Sequence, residues 1–189
     1  MARIVVFFGL IASGKSTLAE QYASQQGLPW YNTDLVRKEL AGLAAGERRQ
    51  DGYQQGIYTS EFSRRTYQAL LDRAAADILA GRPGAVLDGS YNRRAERDEV
   101  RRLAAQLGIP CTFVLCQCGE EEVRRRLAER ARDPQAVSDG RWEIYLTQKE
   151  TFEAPAEVPA EELIVMNTEA PVADLLAELN RRLQQQGTV

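Results

Sequence analysis

Residues 9–16 read Gly-Leu-Ile-Ala-Ser-Gly-Lys-Ser and satisfy the pattern G-x-x-x-x-G-K-[ST] at every fixed position. The apolar run Ile4–Phe8 precedes this stretch and is typical of a buried parallel strand. Leu18, Ala19 and Tyr22 follow it at helical spacing. A strand, a glycine-containing turn and a helix in this order are the context in which the pattern forms a phosphate-binding loop, or P-loop.

The residue type at each fixed position of this loop has a chemical role in binding phosphate. Gly9 and Gly14 allow the backbone to bend back, so that successive N–H groups surround an anion at a helix N-terminus. We expect Lys15 to contact the β- and γ-phosphates of ATP, and the Ser16 hydroxyl to coordinate Mg²⁺. The residues predicted to bind the nucleotide are Gly9, Ala12, Ser13, Gly14, Lys15, Ser16 and Thr17.

The amino-acid composition limits which partners the protein can have and which residue types can act as its general base. The 189 residues carry a net charge of −3, which disfavours nucleic acid as a partner because no global positive field is present. No apolar run is long enough to span a bilayer and no signal peptide is evident, so we expect a cytoplasmic protein without a membrane partner. The chain has no histidine, so a general base must be a carboxylate, a cysteine or a lysine.

Strand-like and helix-like segments alternate along the chain, which predicts an α/β fold with a parallel sheet covered by helices on both faces. The predicted strands are Ile4–Phe8, Pro29–Tyr31, Ala85–Leu87, Cys111–Cys116 and Leu163–Met166. The predicted helices cover about 34–43, 60–80, 94–107, 120–132, 141–152 and 172–183, with a loop at Gly42–Gly56. We find no linker or repeat and expect one domain, 1–189.

Ligands of such sheets bind beyond the carboxyl ends of the strands. Asp34 falls there, and we predict that it accepts the proton of an acceptor hydroxyl. The alternative is a structural role as a helix cap or first-turn residue that pairs locally with Arg37. Arg37, three residues on, would hold an anionic group of the substrate or of the transferred phosphate. Asp34 and Arg37 are thus candidate catalytic and substrate-binding residues.

Asp88 ends the predicted third strand and is a candidate Mg²⁺ residue acting through water, together with Ser16. The alternative is an ordinary Asp-Gly turn. Four polar residues that follow could reach a bound substrate: Ser90, Asn92, Arg93 and Arg97.

An arginine-dense helix is predicted from residue 120 to 132. Arg126 and Arg130 are four residues apart and share one side, and Asp133-Pro134 ends the helix. This pattern suits a lid over about residues 120–150 that brings arginines to the phosphates, whereas a solvated helix face is the alternative. The three cysteines, Cys111, Cys116 and Cys118, are expected to be reduced and largely buried.

These motifs together resemble the P-loop phosphotransferases grouped with gluconate kinase, polynucleotide 5′-kinase, chloramphenicol phosphotransferase and zeta toxins. The likeness is strongest to a set of predicted kinases that are sometimes fused to aminoglycoside-phosphotransferase-like domains. It rests on the loop and on four further stretches: Thr33–Leu40, Leu87–Ser90, the helix carrying Arg126 and Arg130, and Ser138–Glu143.

The resemblance implies a P-loop three-layer sandwich with five parallel strands in the order 2-3-1-4-5 and a small helical lid. It also implies ATP as donor, Mg²⁺ as cofactor, Asp34 as general base and Arg126 and Arg130 as lid residues. We therefore expect an ATP-dependent kinase that phosphorylates a hydroxyl of a small molecule. The alternatives are a polynucleotide 5′-hydroxyl kinase and a non-catalytic ATP-binding regulatory module.

Overall fold

The computed structural model describes residues 2–44, 56–132 and 141–186. Within these residues, five parallel strands form one sheet in the order β2-β3-β1-β4-β5. The strands are β1 Arg3–Phe8, β2 Trp30–Asn32, β3 Gly84–Asp88, β4 Cys111–Gln117 and β5 Leu163–Asn167. The predicted fold class and strand order are confirmed.

The described residues form seven α-helices, and two short 3₁₀ turns at Gly56–Tyr58 and Ala160–Glu162. The helices are α1 Lys15–Gln26, α2 Thr33–Leu40, α3 Ser60–Leu79, α4 Arg94–Leu107, α5 Glu120–Arg132, α6 Trp142–Thr151 and α7 Val172–Gln186. The predicted bounds of α4 and α5 coincide with the observed ones. Most of the predicted loop Gly42–Gly56, the predicted breaker Asp133-Pro134 and residues 138–140 lie outside the described residues.

Helix α2 differs from its prediction at both ends. It begins at Thr33 because the Asn32 side chain accepts hydrogen bonds from the N–H groups of Asp34 and Leu35 and so caps the helix. It ends at Leu40, three residues early, because Gly42 adopts a left-handed conformation with φ of 70°.

The central strand β1 is buried on both faces, since side chains alternate along a strand. Val5 and Phe7 pack with α1 and α7 in one core cluster. Ile4, Val6 and Phe8 pack with α3 and α4 in the other. These two layers hold the carboxyl end of β1 in place, and the glycine loop starts directly beyond it.

A third apolar cluster joins the predicted lid helices to this loop. Ile11 and Ala12 of the loop pack against Val123 and Leu127 of α5 and Tyr145 of α6. Helices α5 and α6 are therefore docked on the loop in this structure. No helix in the described part of the chain is long and apolar enough to cross a membrane.

Candidate active site

The loop between β1 and α1 has the backbone conformation that the sequence pattern predicts. Gly9 has φ of 137°, and a Cβ there would lie 2.3 Å from the carbonyl oxygen of Cys116. Gly14 has φ of 82° and precedes the first residue of α1, with no side chain capping the helix. The first N–H groups of α1 therefore lack a side-chain cap and suit an anion.

The Lys15 ammonium lies at the mouth of this loop. Its Nζ donates a hydrogen bond to the carbonyl oxygen of Leu10, at 3.3 Å. Burial lowers the pKa of Lys15, while the carboxylates of Asp88 and Asp34 oppose that shift. The lysine thus lies within electrostatic reach of both candidate carboxylates.

Asp88, Asn32 and Ser16 form a buried polar group at the ends of β3 and β2 and the start of α1. Asp88 is fully buried, and its Oδ2 accepts a hydrogen bond of 2.6 Å from Asn32 Nδ2. Asn32 Nδ2 also lies 3.4 Å from Ser16 Oγ. Burial raises the pKa of Asp88, opposed by Lys15 and by the hydrogen bonds from Asn32 and Ser16.

This group suits a hydrated magnesium ion. Among the described residues, the second carboxylate oxygen of Asp88, Oδ1, is buried and has no hydrogen-bond partner, which leaves an acceptor for a metal-bound water. That part of the chain contains no group of three or more acidic, histidine or cysteine side chains arranged to hold a metal ion. A magnesium ion held here would rely on Ser16, Asp88 through water, and the phosphates themselves.

Asp34 lies in the first turn of α2 but does not cap the helix, because Asn32 does. Its Oδ1 is 3.1 Å from Arg37 Nη1. Arg37 is buried against the ring of Tyr58, 4.9 Å from the ring centroid, and its Nη2 lies 3.5 Å from Ser63 Oγ. Asp34 is thus a first-turn residue whose carboxylate is oriented by a buried arginine. Its role as general base stays a prediction.

The two predicted lid arginines differ in their surroundings. Burial lowers the pKa of Arg130, and the charge of Asp34 opposes that shift, so the two side chains lie within electrostatic reach of each other. Arg126 instead donates to the carbonyl oxygens of Ala12, at 3.2 Å, and Thr168, at 2.6 Å, while its Nε bonds to Glu122. In this arrangement Arg126 supports the loop, and its contact with phosphate stays a prediction.

A cavity of about 980 Å³ opens from Lys15 and Asp34 toward α3, α4 and α6, which is large enough for a small-molecule ligand. The predicted residues Arg37, Ser90, Asn92 and Arg93 border it. Further lining residues that the sequence did not indicate are Ser63, Arg64, Tyr67, Gln68, Glu96 and Gln148.

Comparison with known proteins agrees with this geometry. The AAA_33 family model, described as an AAA domain, matches residues 4–155. The chain belongs to this family of P-loop kinase domains. It is 34% identical over 131 residues to a Thermobifida fusca adenylate kinase, covering 68% of this chain and 67% of the relative.

Solved structures of three kinases share the fold. A Janibacter sugar kinase superposes with a TM-score of 0.68 at 22% identity, covering 97% of this chain and 95% of that one. A Sinorhizobium meliloti gluconokinase gives 0.62 at 24% identity, covering 98% and 97%. A shikimate kinase from Aquifex aeolicus gives 0.61 at 14% identity, covering 98% of each chain.

One predicted substrate residue of this P-loop kinase domain is structural. Arg97 is fully buried, with Nε bonded to Glu157 Oε1 at 2.6 Å and Nη1 bonded to the Tyr91 carbonyl at 2.8 Å. Its donors are occupied inside the protein, so Arg97 does not contact a ligand in the cavity. The sequence could not show this, because Glu157 lies 60 residues away.

Tyr67 supports the turn that follows β3. Its hydroxyl accepts the N–H of Tyr91 at 3.1 Å and lies 3.2 Å from Ser90 Oγ. Tyr91 has φ of 41°, an uncommon value for a residue with a bulky side chain. The Tyr67 hydroxyl thereby holds the strained turn after β3 and orients Ser90 beside the cavity.

The cysteines agree with the prediction that they are free and largely buried. Cys111 and Cys116 are buried and free, and Cys118 is half-buried and free. Burial raises the pKa of Cys116 to about 12, so its thiol stays protonated at neutral pH.

Proposed function

We propose that this protein is an ATP-dependent kinase that transfers the γ-phosphoryl group to a hydroxyl of a small molecule. The observation that carries the proposal is that Asp34 and Lys15 border one cavity, with Arg37 fixing the Asp34 carboxylate. A P-loop that only bound nucleotide would not need an oriented carboxylate in a cavity large enough to hold an acceptor as well. Membership of a P-loop kinase family supports the same activity.

In this reaction Lys15 and the N–H groups at the start of α1 hold the β- and γ-phosphates. The acceptor oxygen forms a bond to the γ-phosphorus while the bond to the β–γ bridging oxygen breaks, and ADP leaves with that electron pair. Asp34 orients the acceptor hydroxyl and takes its proton late in the step.

Magnesium would neutralise charge on the phosphates, and the residues suited to hold it are Ser16 and, through water, Asp88. Arg130, whose surroundings include Asp34, would stabilise charge on the transferred group. Arg37 and Arg64 border the cavity and would bind an anionic group of the acceptor.

The acceptor is the part of the proposal that needs an experiment. ATP consumption is measured against alcohols, sugars, hydroxy acids, nucleosides and aminoglycosides, and mass spectrometry detects a phosphorylated product. AMP is included, because the adenylate kinase relative raises a phosphate acceptor as the second candidate. A 5′-hydroxyl oligonucleotide tests polynucleotide kinase activity, which the acidic net charge of −3 disfavours.

Lys15→Ala serves as the control in every assay. A phosphorylated small-molecule alcohol formed by the wild type and lost in Lys15→Ala supports the proposal. A product phosphorylated only on AMP or on the oligonucleotide replaces it with the corresponding kinase. ATP binding without transfer to any acceptor favours the regulatory module.

A further inference from the structure

Besides the apolar packing of Tyr145, helix α6 makes a hydrogen bond to the P-loop through the side chain of Gln148. The N–H of Ile11, in the middle of the loop, donates to Gln148 Oε1 at 2.8 Å. The loop pattern suggests that successive N–H groups face the phosphates, yet this one is bonded to a side chain 137 residues away. The Gln148 side chain is therefore bound directly to the backbone of the P-loop.

The chemistry of this contact fixes which way the amide points. A backbone N–H can only donate, so the side-chain oxygen must face Ile11 and the Nε2 group must face away. Within residues 2–44, 56–132 and 141–186, no acceptor bonds to Nε2. Gln148 and Ile11 both border the cavity that contains Lys15 and Asp34. The two N–H groups of Gln148 Nε2 are therefore available as donors at the edge of this cavity.

The position of Lys15 indicates which group of a ligand would lie near the Nε2 donors of Gln148. Its Nζ bonds to the carbonyl of Leu10, the residue next to Ile11, so the ammonium and the Gln148 amide meet the same short stretch of loop. Lys15 is the side chain expected at the γ-phosphate. A group held by Lys15 at the cavity mouth would therefore lie beside Gln148.

We propose that Gln148 is a catalytic residue that donates Nε2–H to an oxygen of the γ-phosphoryl group. This inference rests on the proposed function. The bond from Ile11 to Oε1 fixes the amide before ATP arrives, so the donor costs no reorganisation when charge spreads over the phosphoryl oxygens. Hydrogen bonds to charged oxygens are stronger than those between neutral groups.

Two variants separate this role from that of a side chain that merely holds the loop. Gln148→Glu keeps an oxygen for Ile11 but replaces the donors with a carboxylate oxygen. Gln148→Met keeps the length and loses both functions. Calorimetric titration gives the affinities for Mg·ADP and for a non-hydrolysable Mg·ATP analogue, because their ratio isolates contacts to the γ-phosphate.

Both variants are expected to lower the preference for the triphosphate analogue by about 10-fold or more, Gln148→Glu the more strongly, with ADP affinity retained. Glu150→Ala, at an exposed position of the same helix, should keep the wild-type ratio. Thermal unfolding checks that each variant is folded.

If Gln148→Met loses the preference for the triphosphate analogue over ADP but Gln148→Glu keeps it, the side chain only holds the loop and the proposal is wrong. A wild-type affinity ratio in both variants would also overturn the proposal. If the wild-type protein binds neither nucleotide, the proposed function itself fails. If it binds and transfers normally while the Gln148 variants keep their ratio, only this inference fails.

Discussion

Asp34 and Arg37 form an ion pair across one turn of α2, with 3.1 Å between Oδ1 and Nη1. The Arg37 side chain is 8% exposed and packs on the Tyr58 ring, whereas the Asp34 side chain keeps 27% of its area exposed. Asp34 also borders the cavity that reaches Lys15. The pair therefore joins an anchored cation to an accessible carboxylate.

Asp34→Asn should bind ATP about as well as the wild type while phosphoryl transfer falls by about 100-fold or more, the scale of losing a general base. Asparagine keeps the shape but cannot accept the proton. The measurement pairs ATP affinity with the transfer rate on the acceptor found in the screen. Asp72→Asn, on the exposed face of α3, is the matched control and should transfer normally. A wild-type transfer rate in Asp34→Asn would show that Asp34 is not the general base, and Asp88 would be the next candidate.

Arg130→Gln should lower the transfer rate by about 100-fold, because Arg130 is placed near Asp34 and Lys15 and would stabilise the transferring group. Arg132→Gln removes an exposed arginine from the end of the same helix and should have little effect. Single-turnover rates on the identified acceptor make the comparison. Equal transfer rates for the two variants would indicate that the arginines of α5 form a solvated helix face and do not take part in catalysis.

The elements that the sequence predicted well are those set by local pattern. The loop at Gly9–Ser16 and the strand before it determine the fold, and the alternation of strands and helices accounts for the rest of the sheet. The ends of α2 were wrong because Asn32 and Gly42 control them through specific capping geometry.

The candidate site was predicted less completely, since partners distant in sequence decide what a polar side chain does. Arg97 looked available until Glu157 was brought against it by the fold. Gln148 carried no signal, because its contact with Ile11 depends on how α6 docks. Arg126 was identified, but its bonds to the Ala12 and Thr168 carbonyls depend on α5 meeting the loops that follow β1 and β5.

Asp88→Asn should make the protein more stable at pH 7 and less active. Because burial raises the pKa of Asp88, the folded state binds its proton more tightly than the unfolded state does. The contribution of Asp88 to stability therefore falls as pH rises above the unfolded pKa of about 3.9. Asparagine removes that cost and can still accept the Asn32 hydrogen bond. Chemical denaturation from pH 4 to 8 should show the gain growing with pH.

The same variant should need more Mg²⁺ for half-maximal transfer, because a neutral amide orders metal-bound water less well than a carboxylate. Ser16→Ala gives a comparison that loses a metal-facing hydroxyl without removing the buried charge. An unchanged magnesium requirement in Asp88→Asn would exclude Asp88 from the metal site.

Arg97→Met should lower the free energy of unfolding by about 3–5 kcal/mol, because it leaves the Glu157 carboxylate buried without its partner. The Arg97 side chain is 0% exposed and that of Glu157 is 6% exposed. The double variant Arg97→Met with Glu157→Gln should recover most of the loss, since it removes both charges together. Denaturation of the two single variants and the double variant completes the cycle.

The pH dependence of this pair follows from Glu157. Burial alone would raise its pKa, but the hydrogen bonds and charge of Arg97 outweigh burial and the pKa lies below the ordinary value. A carboxyl group with a depressed folded pKa stabilises the protein above its unfolded pKa of about 4.3, and this is lost as pH falls through the folded pKa. The wild type should therefore lose its advantage over the double variant on acidification below about pH 4.3. A stability difference that stays constant from pH 7 to 3 would show that the ion pair carries no such linkage.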